Sequence, residues 1–284
     1  MTRPAPRRIC IGVDDFARHD GIDDAAMQLV ALGRVQSIGC MVGADRWPAA
    51  ARRLAPVAAG ASLDVGLHLD LTELPLDTGL RRDHAALLVA SYTGRLARRR
   101  LRAEIDAQID RFGEAFGRAP DFVDGHQHVH QLPAVRDALV EALGIRGGDS
   151  RPWLRATRRP PGSGGPLRER AKAAAIEWLG GRRLAALARD AGFAQNRGLL
   201  GVYGFDTDAS GYLARLARWF ELARDGDQLM CHPATHAAAD DPIRAARVAE
   251  FEALAAPEVE SLLARASISL QPISAILAGT APDR

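Results

Sequence analysis

The chain has 284 residues, 37 Lys and Arg against 35 Asp and Glu, a formal charge of +2, and is 47% hydrophobic. This is an ordinary globular balance with enough apolar material for a substantial core, and the small net charge gives no argument for a nucleic-acid partner. The three scattered cysteines, Cys10, Cys40 and Cys231, form no C-x-x-C pair, so neither a zinc ribbon nor a disulfide framework is expected. Met1 to Arg8 lead into a run too short for a signal peptide, and no apolar stretch approaches membrane-span length. The expectation is a reduced, cytoplasmic protein.

Taken in order, the pattern alternates strand and helix. Arg8 to Val13 is a short apolar run expected as a strand buried on both faces. Gly21 to Leu32 has helical spacing, Val35 to Val42 reads as a second strand, Ala49 to Ala59 as a helix and Asp64 to Leu71 as a third strand. Leu101, Ile105, Ile109, Phe112 and Phe116 form an apolar stripe that predicts a helix over 96–116. Asp121 to Gly125 is a fourth strand, with a helix from Pro133. Further strands are expected near Trp153 to Arg155, at Leu199 to Tyr203, at Gln228 to Cys231 and near Ile268 to Leu270. Helices are expected over 167–189, 211–223 and 242–254. Seven or eight β-α units without a composition break predict one α/β domain over 1–284, a distorted parallel (β/α) barrel, with a doubly wound sheet as the competitor. Arg158 to Pro166, rich in Pro and Gly, is expected to be a flexible loop.

Asp14 and Asp15 follow the first strand, His68 lies near the end of the third, His126 just past the fourth and His232 just past a late one. In a parallel fold those ends share one rim, where sites are built. Carboxylate and imidazole ligands suit one divalent ion with open positions, zinc first, with magnesium, manganese, cobalt or nickel also admitted. Adjacent strand residues point to opposite faces, so one aspartate is expected to bind metal and the other to accept the water's proton. The competing reading makes Asp14 or Asp15 a helix cap and His68 a satisfied buried histidine. The segment Asp124-Gly-His-Gln-His-Val-His130 is harder to explain without a ligand, since it packs three of the chain's eight histidines into five residues. If extended, His126, His128 and His130 share a face with Asp124; if helical, His126 and His130 form an i,i+4 pair. Arg155, at a strand end, is expected to orient a substrate or the base, or to make a structural ion pair.

Val13 to Phe16, Val65 to Glu73, Pro120 to Pro133 and Met230 to Ala234 together resemble the YdjC-like (ChbG/HpnK) family of carbohydrate deacetylases. The resemblance implies a distorted β/α barrel that uses a divalent metal to deacetylate an N-acetylated amino sugar. It places Asp15, His68 and His126 on the metal, Asp14 as base and His232 as acid or oxyanion stabiliser, with His128 and His130 lining or supporting the site. Where the family often has A-D-D-F-G, this chain ends the motif with Ala17. The segments Asn196 to Asp206 and Pro152 to Thr157 resemble the hopanoid-biosynthesis branch, which implies an N-acetylglucosaminyl hopanoid lipid as substrate. An amphiphilic substrate needs an apolar approach. Ala85 to Ala90 and the five arginines between Arg95 and Arg102 are therefore expected to form a peripheral surface at the inner membrane, the alternative being a buried turn and a solvated helix face. Soluble chito-oligosaccharide deacetylation, a metal phosphoesterase or amidohydrolase, and a sugar- or lipid-binding protein are the rival functions. The sequence leaves an oligomer open.

Overall fold

The computed structural model describes residues 5–146, 151–162 and 166–279. In chain order the elements are β1 (Arg7–Phe16), α1 (Asp20–Ala31), β2 (Ser37–Cys40), α2 (Trp47–Gly60), β3 (Asp64–Leu69), α3 (His84–Tyr92), α4 (Arg98–Phe116), β4 (Phe122–Gly125), α5 (Val135–Ile145) and β5 (Trp153–Leu154). There follow α6 (Leu167–Ile176), α7 (Arg182–Asp190), β6 (Leu199–Leu200), α8 (Ala209–Leu222), β7 (Gln228–Cys231), α9 (Arg244–Ala255), α10 (Glu258–Ala266), β8 (Ile268–Leu270) and α11 (Ile273–Ala278).

All strand pairs are parallel, in the order β5-β4-β3-β2-β1-β7-β6, with β8 pairing the start of β1. This is the expected distorted barrel. Seven strands curl round, and the eighth is displaced onto Arg7–Ile9, so it closes nothing. Among the described residues, the two edges meet through the bridge of Leu154 to Gln195, the bond from Leu199 N to Arg158 O, and Asn196. Asn196 Oδ1 accepts from Ala156 N at 2.6 Å while its Nδ2 donates to Ala156 O and Gly198 O. A side chain thus does at the seam what a strand ladder does elsewhere, satisfying backbone groups that would otherwise be left unpaired. β1 is buried throughout its last eight residues, as a barrel strand with helices outside it and the packed barrel interior within must be.

Several elements depart from the expected bounds. The predicted 167–189 helix is broken by a π turn at Glu177–Gly181, where Gly180 takes φ 132° and approaches Gln131 so closely that a Cβ would lie 2.1 Å from its carbonyl oxygen. β6 stops at Leu200 because Gly201 turns to φ 92° and the chain leaves the sheet. Helix α5 begins at Val135 rather than Pro133. Ala85 to Ala90, expected as a peripheral segment, lie inside α3, capped by Asp83, with Leu87 buried and Val89 and Tyr92 exposed. Helices α10 and α11 carry no signal that the strand–helix alternation picked out. Of the Pro/Gly loop, Arg158 is tied to the sheet through its carbonyl, which accepts from Leu199 N, and 163–165 lie outside the described residues.

Candidate functional site

The C-terminal ends of β1, β3, β4 and β7 converge on a cavity of about 300 Å³ lined by Asp14, Asp15, His68, His126, His128 and His232, among others. The expectation that Asp14 and Asp15 diverge is corrected. Asp15 takes φ 67°, and the β1–β2 register slips between Val13 and Phe16, so the alternation of side chains is interrupted and both carboxylates face the cavity. Neither caps α1; His19 does, accepting from Gly21 N.

Asp15 Oδ1 lies 2.8 Å from His126 Nδ1 and 3.4 Å from His68 Nε2. The opposite nitrogen of each ring meets another carboxylate: His68 Nδ1 is 2.7 Å from Asp124 Oδ1, and His126 Nε2 is 3.2 Å from Glu73 Oε1. One atom from each of Asp15, His68 and His126 falls within 4.8 Å of the others. Two imidazoles that each aim one nitrogen at a common point and hold the other against a carboxylate suit a divalent cation, because the outer carboxylate sets the tautomer and raises ligand basicity. The donor set therefore fits a metal ion. In its absence, burial lowers the proton affinity of His126 but Asp15 and Glu73 more than offset it, raising its pKa to about 9. Burial likewise opposes the ionisation of Asp15, yet His126 and Arg247 hold it well below the usual carboxylate range.

Beyond these contacts a closed circuit of charge surrounds Asp15. Its Oδ2 accepts from Arg247 at 2.6 Å; Arg247 also donates to Asp241, Asp241 pairs with Arg18, and Arg18 pairs with Glu73, which returns to His126. Glu73 is pulled down to about 2, first by its hydrogen bond to His126 and then by Arg18, against burial. Arg18, Glu73, Asp241 and Arg247 were not singled out in the sequence. Glu73 alone left a signal, as the last residue of the Val65-to-Glu73 motif.

Arg155 is fully buried and does not line the cavity, so the option that it orients a sugar is corrected. Its guanidinium donates to both oxygens of Asp14 at 2.7 Å, pairs with Asp124 Oδ2 at 2.6 Å, and donates to Gln228. Burial would raise Asp14, but Arg155, His68 and His232 depress it well below the carboxylate range.

His126 to Gln131 are neither extended nor regularly helical: the segment forms 3₁₀ turns with Gln127 and His128 at φ 51° and 61°. The three histidines therefore part company. His126 meets Asp15, His128 lines the cavity, and His130 turns into the core, donating through Nε2 to Arg155 O at 3.1 Å. Burial holds His128 well below the usual histidine range and His130 at about 4. His232 Nε2 is 3.9 Å from Asp14 Oδ2, and burial pushes this ring down to about 4 as well, so it is neutral at pH 7. Apolar side chains including Leu88, Leu132, Ile176, Leu179, Val202 and Phe205 complete the wall.

A parallel barrel carrying a buried carboxylate–bis-histidine cluster on its C-terminal rim defines a class of site whose donors suit a divalent ion. The YdjC-like protein family matches residues 8–265, and the chain belongs to it. A protein named carbohydrate deacetylase from Mus musculus is 33% identical over 167 residues, 54% of this chain and 50% of that protein. The matched segment thus spans about half the length of that relative. A chitooligosaccharide deacetylase from Serratia marcescens is 29% identical over 268 residues, 90% of this chain and 94% of that one. Among solved structures, a candidate cellobiose-phosphate cleavage protein from Enterococcus faecalis superposes with a TM-score of 0.69 at 19% identity, over 96% of this chain and 99% of that chain, and shares the fold.

Proposed function

We infer that the protein is a metal-dependent hydrolase that removes the acetyl group from an N-acetylated amino sugar. The observation that carries this reading is that Asp14 and His232, 3.9 Å apart, open on the same cavity as the Asp15, His68 and His126 donors. The relatives named as carbohydrate and chitooligosaccharide deacetylases support it.

Asp15, His68 and His126 would hold the ion, zinc because two imidazoles and one carboxylate suit it. When bound, such an ion polarises the acetamide carbonyl and acidifies the attacking water. Asp14, kept ionised by Arg155, accepts the water's proton as oxygen attacks the carbonyl carbon. His232 is neutral at rest, so it cannot start as an acid. It takes the proton from Asp14 when the 3.9 Å between them tightens to hydrogen-bonding distance in the substrate complex, and delivers it to the leaving amine nitrogen. Breaking the C–N bond then yields acetate and a free amino sugar. His128 lines the sugar's approach, while His130 and Asp124 hold the Arg155 and His68 ends of the site.

For the substrate we favour an N-acetylglucosaminyl hopanoid lipid, on the resemblance of Asn196 to Asp206 and on the apolar wall from Leu88 to Leu179. The exposed Val89 and Tyr92 on α3 and Trp178 beside Leu179 suit a peripheral approach to lipid. A soluble chito-oligosaccharide is the second reading, favoured by the near full-length match to the Serratia protein. Two-metal phosphoester hydrolysis is disfavoured because Arg155 already occupies both oxygens of Asp14. Acetate release, measured in parallel on an N-acetylglucosamine oligomer and an N-acetylglucosaminyl hopanoid, tests the assignment. Preference for the oligomer overturns the lipid substrate; full activity after metal removal overturns the chemistry.

A further inference from the structure

His232 is hydrogen-bonded through its backbone rather than through its ring, which packs edge-on against Phe205 with centroids 5.3 Å apart. Its Nδ1 is buried with no hydrogen-bond partner among the described residues, and its Nε2 lies 3.9 Å from Asp14. Its peptide, by contrast, is gripped at both ends from one helix. On α9, Arg247 and Glu250 stand three residues apart and therefore share a face. Arg247 Nη1 donates to His232 O at 3.3 Å, and Glu250 Oε2 accepts from His232 N. The other oxygen of Glu250 accepts from the Tyr203 hydroxyl at 2.6 Å, and Tyr203 lines the cavity. Glu250 is fully buried, and no guanidinium or ammonium hydrogen-bonds its carboxylate among the described residues.

We propose that Glu250 is a positioning residue: from α9 it fixes the His232 peptide, and through it the imidazole, in its place beside Asp14 on the cavity wall. The assignment rests on the hydrolase reading above. A carboxylate placed in the core with no cation hydrogen-bonded to it is a cost that a merely apolar side chain would avoid. Burial raises Glu250 to about 7, with Tyr203, the His232 amide and Arg247 opposing. Tyr212 and Cys231 face it from α8 and β7, and both are themselves pushed up, first by burial and then by Glu250. What the carboxylate supplies in return is an acceptor for the one amide that sets where His232 sits. Misplacing a reacting group by about 1 Å can cost on the order of 100-fold in rate.

The test compares Glu250→Ala and Glu250→Gln in the full chain, with melting temperature and metal content as controls. Glu250→Ala should lower kcat by about 10- to 100-fold with KM and metal content unchanged, and Glu250→Gln, which keeps an acceptor oxygen, should recover most of it. In the double variant His232→Ala/Glu250→Ala the losses should not add, because the second change removes a support for a ring already gone. A kcat within about twofold of wild type for Glu250→Ala, a change in KM alone, or additive losses would overturn the proposal. If Glu250→Ala does not fold, amide exchange at His232 in the wild type decides: strong protection is expected, and exchange at open-loop rates overturns the clamp. Wild-type protein that releases no acetate from any N-acetylated sugar sinks the hydrolase reading itself, an outcome distinct from an active Glu250→Ala variant.

Discussion

Arg155 and Asp14 meet through two parallel hydrogen bonds of 2.7 Å, inside a site where both side chains are almost wholly removed from water. A bidentate guanidinium both orients the carboxylate and holds it ionised.

Arg155→Met leaves Asp14 and Asp124 buried without their cation, so it should destabilise the fold by about 3–5 kcal/mol. Freed from the guanidinium, Asp14 should ionise at higher pH, moving the acidic limb of kcat/KM upward. Arg155→Lys keeps the charge but not the fork and should fall between. Urea unfolding and a pH–rate profile check this, and an unmoved acidic limb would count against the pairing.

Asp15→Ala and His126→Ala should lose metal and activity together. Glu73→Gln leaves the inner donors intact but weakens the support of His126, so metal affinity should fall by about 10- to 100-fold while saturating metal restores turnover. Chelator titration of the three variants separates these outcomes.

Asp14→Asn should keep its metal, because Asp14 is the carboxylate that does not touch His126, yet lower kcat by about 100-fold or more. His232→Ala should behave alike. Metal analysis beside steady-state kinetics reads both.

His126 binds its proton more tightly folded, at about 9, than an unperturbed histidine at about 6.5. A raised pKa contributes stability that is complete below the unfolded value and lost as pH climbs through the folded one. The metal-free protein should therefore lose melting temperature between about pH 6.5 and 9. Metal binding over the same range should release a proton, and calorimetry in buffers of different ionisation enthalpy measures it.

Ala17, where the family often has glycine, sits at φ 74° and donates its amide to Asp23 at 2.7 Å. The left-handed conformation strains a residue with a Cβ, so the turn is kept at a cost. Ala17→Gly should stabilise the protein by about 0.5–1 kcal/mol without altering activity, as thermal unfolding would register.

The barrel was legible because each parallel strand is an apolar run closed by turn residues, and because buried strands tolerate little else. Strand ends were the weak point: Leu199–Tyr203 reads as one apolar stretch, yet Gly201 ends the ladder after two residues. Helix α3 escaped notice since its apolar residues run almost continuously and carry little periodic signal. Apart from Glu73 at the end of its motif, the circuit of Arg247, Asp241, Arg18 and Glu73 could not be read, because its members are brought together from segments separated by up to 229 positions in the chain, from Arg18 to Arg247, and each of the other three alone is an ordinary surface-type charge.

From the sequence alone came the residue types and the rim on which they gather: Asp14, Asp15, His68, His126 and His232 all fall at ends of parallel strands, which topology sends to one face. Only the tertiary structure decided how those side chains divide. The left-handed backbone at Asp15 turned two neighbouring aspartates into the same cavity, and the 3₁₀ turns after β4 sent His126, His128 and His130 three different ways. Backbone torsions and partners from distant helices set those directions, and neither is written in local spacing.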